Sequence, residues 1–217
     1  MGIITITTLL VTGAGAFMLW KLIPGISPGE KRVQEDFKKL KKEIKSNALD
    51  LVPIQKKEID LLSPRIFDLK GRKLKSGYFG TVFEEPVAQF AGIAYGSAHR
   101  DFAWVVQLAN MEMLFWRKKK QTRLVIDKSF VGIIDEMGNL KSSKGEILAQ
   151  IQKIKGEYLP LVIQGAEVAG LFNPKKNAEA ELTSRMYHFI DDQLEGNQLV
   201  WVLALTYFVF LGAVFEG

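Results

Sequence analysis

The sequence predicts a mainly β domain, an antiparallel barrel or sandwich. It adds an N-terminal transmembrane helix, a basic juxtamembrane helix and a hydrophobic helix at the C-terminus. Three observations carry this. Uncharged apolar runs stand near both ends, at Ile3–Trp20 and Leu199–Phe215. Between them, short apolar stretches are broken by Gly, Pro and Asp at spacings of roughly 8–12 residues, the rhythm of short strands joined by turns. Two segments, "RIFDLKGRKL" and "GIIDEMGNLKS", share one pattern: an apolar pair, Asp, two residues, then Gly (Asp68 with Gly71, Asp135 with Gly138). Asp starts a turn by bonding nearby backbone, and Gly adopts the left-handed conformation that closes a short hairpin loop. The parts divide as 1–23, anchor; 24–57, basic helix and linker; 58–176, β domain; 177–217, a strand or helix region ending in the hydrophobic helix.

The N-terminal run Ile3–Trp20 ends at Lys21. About 20 residues at 1.5 Å each cross a hydrocarbon core of about 30 Å. A cleavable signal peptide wants positive charge before the run and a small-x-small site after it. Here the first basic residue follows the run and "GAGAF" lies inside it, which favours a retained anchor. The downstream flank is strongly basic, and basic flanks stay cytoplasmic. The bulk of the chain is therefore expected on the cytoplasmic side of a membrane, with the N-terminus outside.

Pro28–Lys45 reads as a helix. Ser27 is its cap, Pro28 suits the first turn, and Glu30 meets the positive end of the dipole. Val33, Phe37, Leu40 and Ile44 form one apolar stripe at spacings of four, three and four. Lys38, Lys39, Lys41 and Lys42 lie on the other faces with Lys31, Arg32 and Lys45. Beside a membrane this suits acidic headgroups, at about 1 kcal/mol per basic residue. A solvated helix packed on its own domain reads the same way.

Further strands are expected at Gly80–Glu84, Val87–Tyr95, Phe102–Leu108, Met111–Trp116, Arg123–Ile126, Ile147–Ile154, Leu159–Gln164 and Glu167–Phe172. Val87–Tyr95 and Phe102–Leu108 fit a buried helix equally. In "MEMLFWRKKKQTRLVI" an apolar run ending in Trp116 meets Arg117, Lys118, Lys119 and Lys120 before a strand resumes. A hairpin with a basic tip and a Trp at its shoulder is suited to a lipid headgroup layer. A solvated turn with Trp116 in the core is the other reading.

Composition narrows the function. The chain of 217 residues is 47% hydrophobic and has no cysteine, so disulfide and thiolate chemistry are excluded. The net charge is +5, but 24 acids are interspersed with 29 bases, which disfavours nucleic acid as a partner. There is no P-loop, GxGxxG, HExxH or GxSxG pattern. His99 and His188 are far apart in sequence. Asp135–Glu146 has the length of an EF-hand loop, yet Met137, Leu140 and Lys141 occupy positions that need ligands or Gly. Asp191, Asp192 and Glu195 read as a polar turn. No enzyme, metal or cofactor is therefore expected.

"MYHFID" fits a last strand, with Ala178–Tyr187 as a competing helix. Gly196-Asn197 starts the closing helix. The run Leu199–Phe215 is apolar on every face, so it lies in lipid or is enclosed by protein. Both readings stand. Together, "GIIDEMGNL", "GEILAQIQKIKG", "MYHFIDD" and "LVWVLALTYFVFLGAVFE" give an order of parts that resembles the tubby-like and phospholipid scramblase group, over Glu58–Gly217. The resemblance implies a β-barrel enclosing a hydrophobic C-terminal helix. It also implies binding of acidic lipid by a basic face, here Arg117–Lys120. The N-terminal anchor departs from the usual members, as does the lack of a cysteine-rich palmitoylation segment. The expected function is a membrane-anchored, non-enzymatic cytoplasmic β domain. It binds acidic lipid headgroups or a membrane-protein partner, as an adaptor or accessory subunit. The alternative is a two-span protein whose cytoplasmic domain scaffolds or regulates a larger membrane complex.

Overall fold

The computed structural model describes residues 28–71, 74–95, 101–152, 158–174 and 184–216. The expected anchor at 1–23 and most of the Ala178–Tyr187 segment lie outside the described residues. The chain divides into two units, Met1–Glu35 and Asp36–Gly217. The described part of the first, 28–35, is helical and opens helix α1 (Pro28–Ser46). The second unit holds the rest of α1 and everything that follows.

Among the described residues, twelve antiparallel strands form one sheet in sequence order: β1 (Leu62–Lys70), β2 (Leu74–Thr81), β3 (Pro86–Tyr95), β4 (Asp101–Leu108), β5 (Glu112–Lys118), β6 (Gln121–Ile126), β7 (Ser129–Ile134), β8 (Asn139–Lys141), β9 (Ile147–Ile151), β10 (Tyr158–Ile163), β11 (Ala166–Phe172) and β12 (Tyr187–Ile190). Each strand pairs with the next, so the sheet is an up-and-down meander that curls into a nearly closed barrel. Its two edges meet where the Met186 N–H donates to the Leu62 carbonyl at 2.6 Å and Arg185 pairs with Asp60 at 2.7 Å. Asp60 belongs to a 3₁₀ helix, Lys56–Leu61, that leads into β1.

The C-terminal helix α2 (Gly196–Glu216) fills the barrel. By length and composition it would also cross a membrane. From Gln198 to Phe215 no residue is exposed. Its aromatic side chains meet the inward-facing rings of the wall: Tyr207 and Phe210 lie 5.3 and 6.3 Å from Phe79, and Phe215 lies 5.9 Å from both Phe102 and Trp104. Each such side chain, fully buried, contributes about 1.5–3 kcal/mol. Gly92 on β3 makes room for this packing, because a Cβ there would sit 2.4 Å from the Phe215 ring. The Lys75 ammonium, directed inward from β2, donates to the Val214 carbonyl and meets the negative end of the helix dipole. Midway along the helix, the Thr206 hydroxyl donates to the Val202 carbonyl at 2.8 Å, so the Tyr187 hydroxyl donates to Thr206 at 2.7 Å.

β3 and β4 fall on Val87–Tyr95 and Phe102–Leu108, the two segments that read as strand or buried helix. Both faces of these strands are covered, which hides the period of two. Phe90, Phe102 and Trp104 point into the core, while Ala91, Ala103 and Val105 on the opposite face are also fully buried. From Asp36 on, α1 lies across the outer face of β3–β5. Lys41 pairs with Glu112 at 2.6 Å, the Gln89 amide donates to the Asn47 carbonyl at 2.8 Å, and the Tyr95 hydroxyl donates to Asp36 at 3.1 Å.

Two expectations are corrected. Gly80–Glu84 is not a strand: Gly80 and Thr81 end β2, and Glu84 sits in a turn at φ 65°. Asp68 does not start a turn. It lies within β1 at φ 49°, where the β1–β2 register shifts, so the strand bulges before Gly71 closes the loop. At Asp135 the expected turn forms, with Gly138 at φ 90°.

Candidate functional site: the basic end of the barrel

The β5–β6 hairpin carries the basic tip. Lys118 opposes Gln121, and Lys119 and Lys120 are the two turn residues at φ 49° and 72°. Both in the left-handed region define a type I′ turn, which matches the strand twist and normally takes Asn-Gly. Two lysines there hold backbone strain of about 1–2 kcal/mol each. Their neighbours fix the tip. The Lys119 N–H donates to the Asp101 carboxylate at 2.9 Å, and the Lys120 ammonium pairs with Glu136 on the next turn at 2.6 Å.

The expected site residues separate by strand alternation. Trp116 points outward, with the Lys118 and Arg123 cations 5.7 and 5.3 Å from its ring. It is half-buried, and is not in the core. Arg117 points the other way, its guanidinium 5.1 Å over the Phe102 ring. Phe102, Arg117, Thr122 and Ile134 oppose one another across β4–β7 and share the inner face at this end. Lys118, Lys119 and Lys120 are therefore the exposed cations of the tip, and Arg117 belongs to the wall.

The α1 lysines also divide. Lys39 pairs with Asp36 within the helix at 3.3 Å, and the Lys41 pair with Glu112 ties the helix to the barrel. Lys38 and Lys42 are exposed, with no ionic partner among the described residues. Leu40 and Ile44 are buried at 1% and 7% exposure, so this stretch of the stripe faces protein.

One chain of contacts relates the helix to the tip. Asp36 bonds Tyr95, Tyr95 opposes Asp101, and Asp101 bonds Lys119. Asp36 is the first residue of the barrel unit. The polypeptide thus enters that unit at the barrel end that carries Lys118–Lys120. Sequence reasoning found the lysines. It missed their relation to Asp36, because no local pattern encodes a contact between residues so far apart.

The adjacent β7–β8 turn is held by Asp135. Its carboxylate accepts from the Asn139 N–H at 3.0 Å and from Lys141 at 2.8 Å. Both oxygens also lie within hydrogen-bond reach of the Asn139 amide. A cleft of about 510 Å³ lies at the barrel seam, bordered by Lys57, Ile59, Asp60, Arg185 and His188. Asp191 and Asp192 flank it, each accepting a hydrogen bond from Gln193, as in a polar turn. Among the described residues no group of three or more acidic, His or Cys side chains is arranged to hold a metal. His99 lies outside the described residues. No protein-family model, curated protein or solved structure matches the chain.

Proposed function

We propose that this is a membrane-anchored, non-enzymatic protein of the tubby-like and scramblase type. In this reading the barrel stands on the cytoplasmic side and contacts acidic phospholipid through its basic end. The observation that carries the proposal is the shared location of Asp36 and the β5–β6 tip. If the apolar segment Ile3–Trp20 anchors the chain, the polypeptide reaches the barrel at the end where the exposed lysines stand. Each of those lysines in contact with acidic headgroups contributes about 1 kcal/mol. The twelve-strand meander around an apolar helix supports the tubby-like part of the reading. Drawing α2 out as a second span would strip the wall aromatics Phe79, Phe102 and Trp104 of their ring contacts. That cost disfavours the two-span alternative.

The test is vesicle binding by the unit Asp36–Gly217. In that unit the triple variant Lys118→Glu, Lys119→Glu, Lys120→Glu, with no other substitution, is expected to bind acidic vesicles about 100-fold more weakly, the equivalent of about 3 kcal/mol. Neutral vesicles should not distinguish the two proteins. Equal binding of acidic vesicles removes the tip from the lipid contact.

A further inference from the structure

We propose that Met137 is an apolar wedge that enters the acyl layer of an acidic membrane while the neighbouring lysines hold the headgroups. This rests on the lipid-contact reading of the basic end. Met137 stands at the top of the β7–β8 turn and is 68% exposed, close to the most exposed of the large apolar side chains. Burying such a side chain is worth about 1.5–3 kcal/mol, and a pliant turn would fold it back against the barrel. This turn is not pliant. Asp135 is bonded to Asn139 and Lys141, the Gly138 N–H donates to the Asp135 carbonyl at 3.0 Å, and the Ile151 N–H donates to the Gly138 carbonyl at 3.0 Å. Gly138 holds a left-handed φ of 90° that its neighbours enforce. The fold therefore presents Met137 to the outside and keeps it there.

What surrounds Met137 identifies the occupant. Glu136, its neighbour in sequence, is paired with Lys120 at 2.6 Å, which joins the turn to the tip, and Asp135 is paired with Lys141 at 2.8 Å, so both acids of the turn are offset. Lys118 and Lys119 are exposed on the same hairpin as Lys120. An apolar side chain on a turn tied to a basic hairpin tip repeats the layering of an acidic leaflet, with anionic headgroups outside and hydrocarbon deeper. Methionine suits the inner layer, because its unbranched, polarisable chain adapts to irregular acyl packing.

The absence of cysteine allows a direct test on the full chain. Single cysteines replace Met137, Gln121 at the tip, or Ser143 at the far end of the barrel, and each carries an environment-sensitive fluorophore. The proteins are reconstituted into nanodiscs of neutral or acidic phospholipid, with nitroxide quenchers on either headgroups or acyl chains. The Met137→Cys probe is expected to shift to the blue and to be quenched by acyl-chain nitroxides in acidic discs only. The Gln121→Cys probe should respond to headgroup nitroxides, and Ser143→Cys to neither. If Gln121→Cys senses headgroups while Met137→Cys stays in water, the wedge is wrong and the lipid contact stands. If neither probe senses lipid, both are overturned.

Discussion

At Asp135 a contest between burial and hydrogen bonding decides the charge. Burial opposes ionisation, but hydrogen bonds from Lys141 and from the side chain and backbone of Asn139 outweigh it, and the pKa falls from 3.8 to about 2. A depressed carboxylate pKa stabilises the fold above the unfolded value and loses that effect as pH falls through the folded one. Asp135→Asn is therefore expected to cost about 1–2 kcal/mol at neutral pH, after allowance for partial exposure. The cost should fade between about pH 4 and pH 2; urea unfolding at a series of pH values measures it, and a pH-independent difference would refute the electrostatic account. The Asp-x-x-Gly pattern made this turn legible in the sequence. Its ion pair was not, because Lys141 reaches Asp135 only once β8 turns back. Arg117 and Lys118 make the same point. They are neighbours in one basic run, yet strand alternation sends Arg117 to the barrel wall and leaves Lys118 in solvent.

The β5–β6 hairpin sets local stability against surface charge. Lys119 and Lys120 occupy positions that Asn and Gly fill with far less strain. The double variant Lys119→Asn, Lys120→Gly is expected to stabilise the protein by about 1–2 kcal/mol and raise its melting temperature, while weakening its binding to acidic vesicles. A lower melting temperature would contradict the strain assigned to this turn. Helix α1 was legible because one face is apolar at helical spacing and its lysines fall elsewhere. β3 and β4 were ambiguous for a physical reason. A strand covered by α1 outside and α2 inside has no polar face to betray its period. The β1–β2 hairpin was misread in detail because Asp68 bulges within a strand. The Asp-x-x-Gly pattern there is the same as at Asp135, but the pairing of β2 decides which Asp begins a turn.

For the whole molecule, α2 decides topology. A helix whose rings pack on Phe79, Phe102 and Trp104, and whose last turn is bonded by Lys75 at the Val214 carbonyl, ends inside the barrel unit. If Ile3–Trp20 anchors the chain with the barrel on the cytoplasmic side, as proposed, a glycosylation acceptor fused after Gly217 is expected to remain unmodified, on the same side as the barrel. Modification of that site would end the enclosed-helix arrangement and revive the two-span reading. The sequence by itself determined the mainly β character, the amphipathic basic helix, the Asp135 turn, the basic tip and a closing helix apolar on all faces. These follow from local spacing, turn chemistry and uninterrupted hydropathy. Only the tertiary structure decided that the closing helix lies among inward-facing aromatics. The same is true of the edges meeting at Leu62 and Met186, and of Asp36, Lys119 and Met137 belonging to one end of the barrel. An all-apolar helix satisfies lipid and a protein core equally, so hydropathy cannot choose between them. The choice was made by ring contacts between residues more than a hundred positions apart, which exist only once twelve strands have closed around the helix.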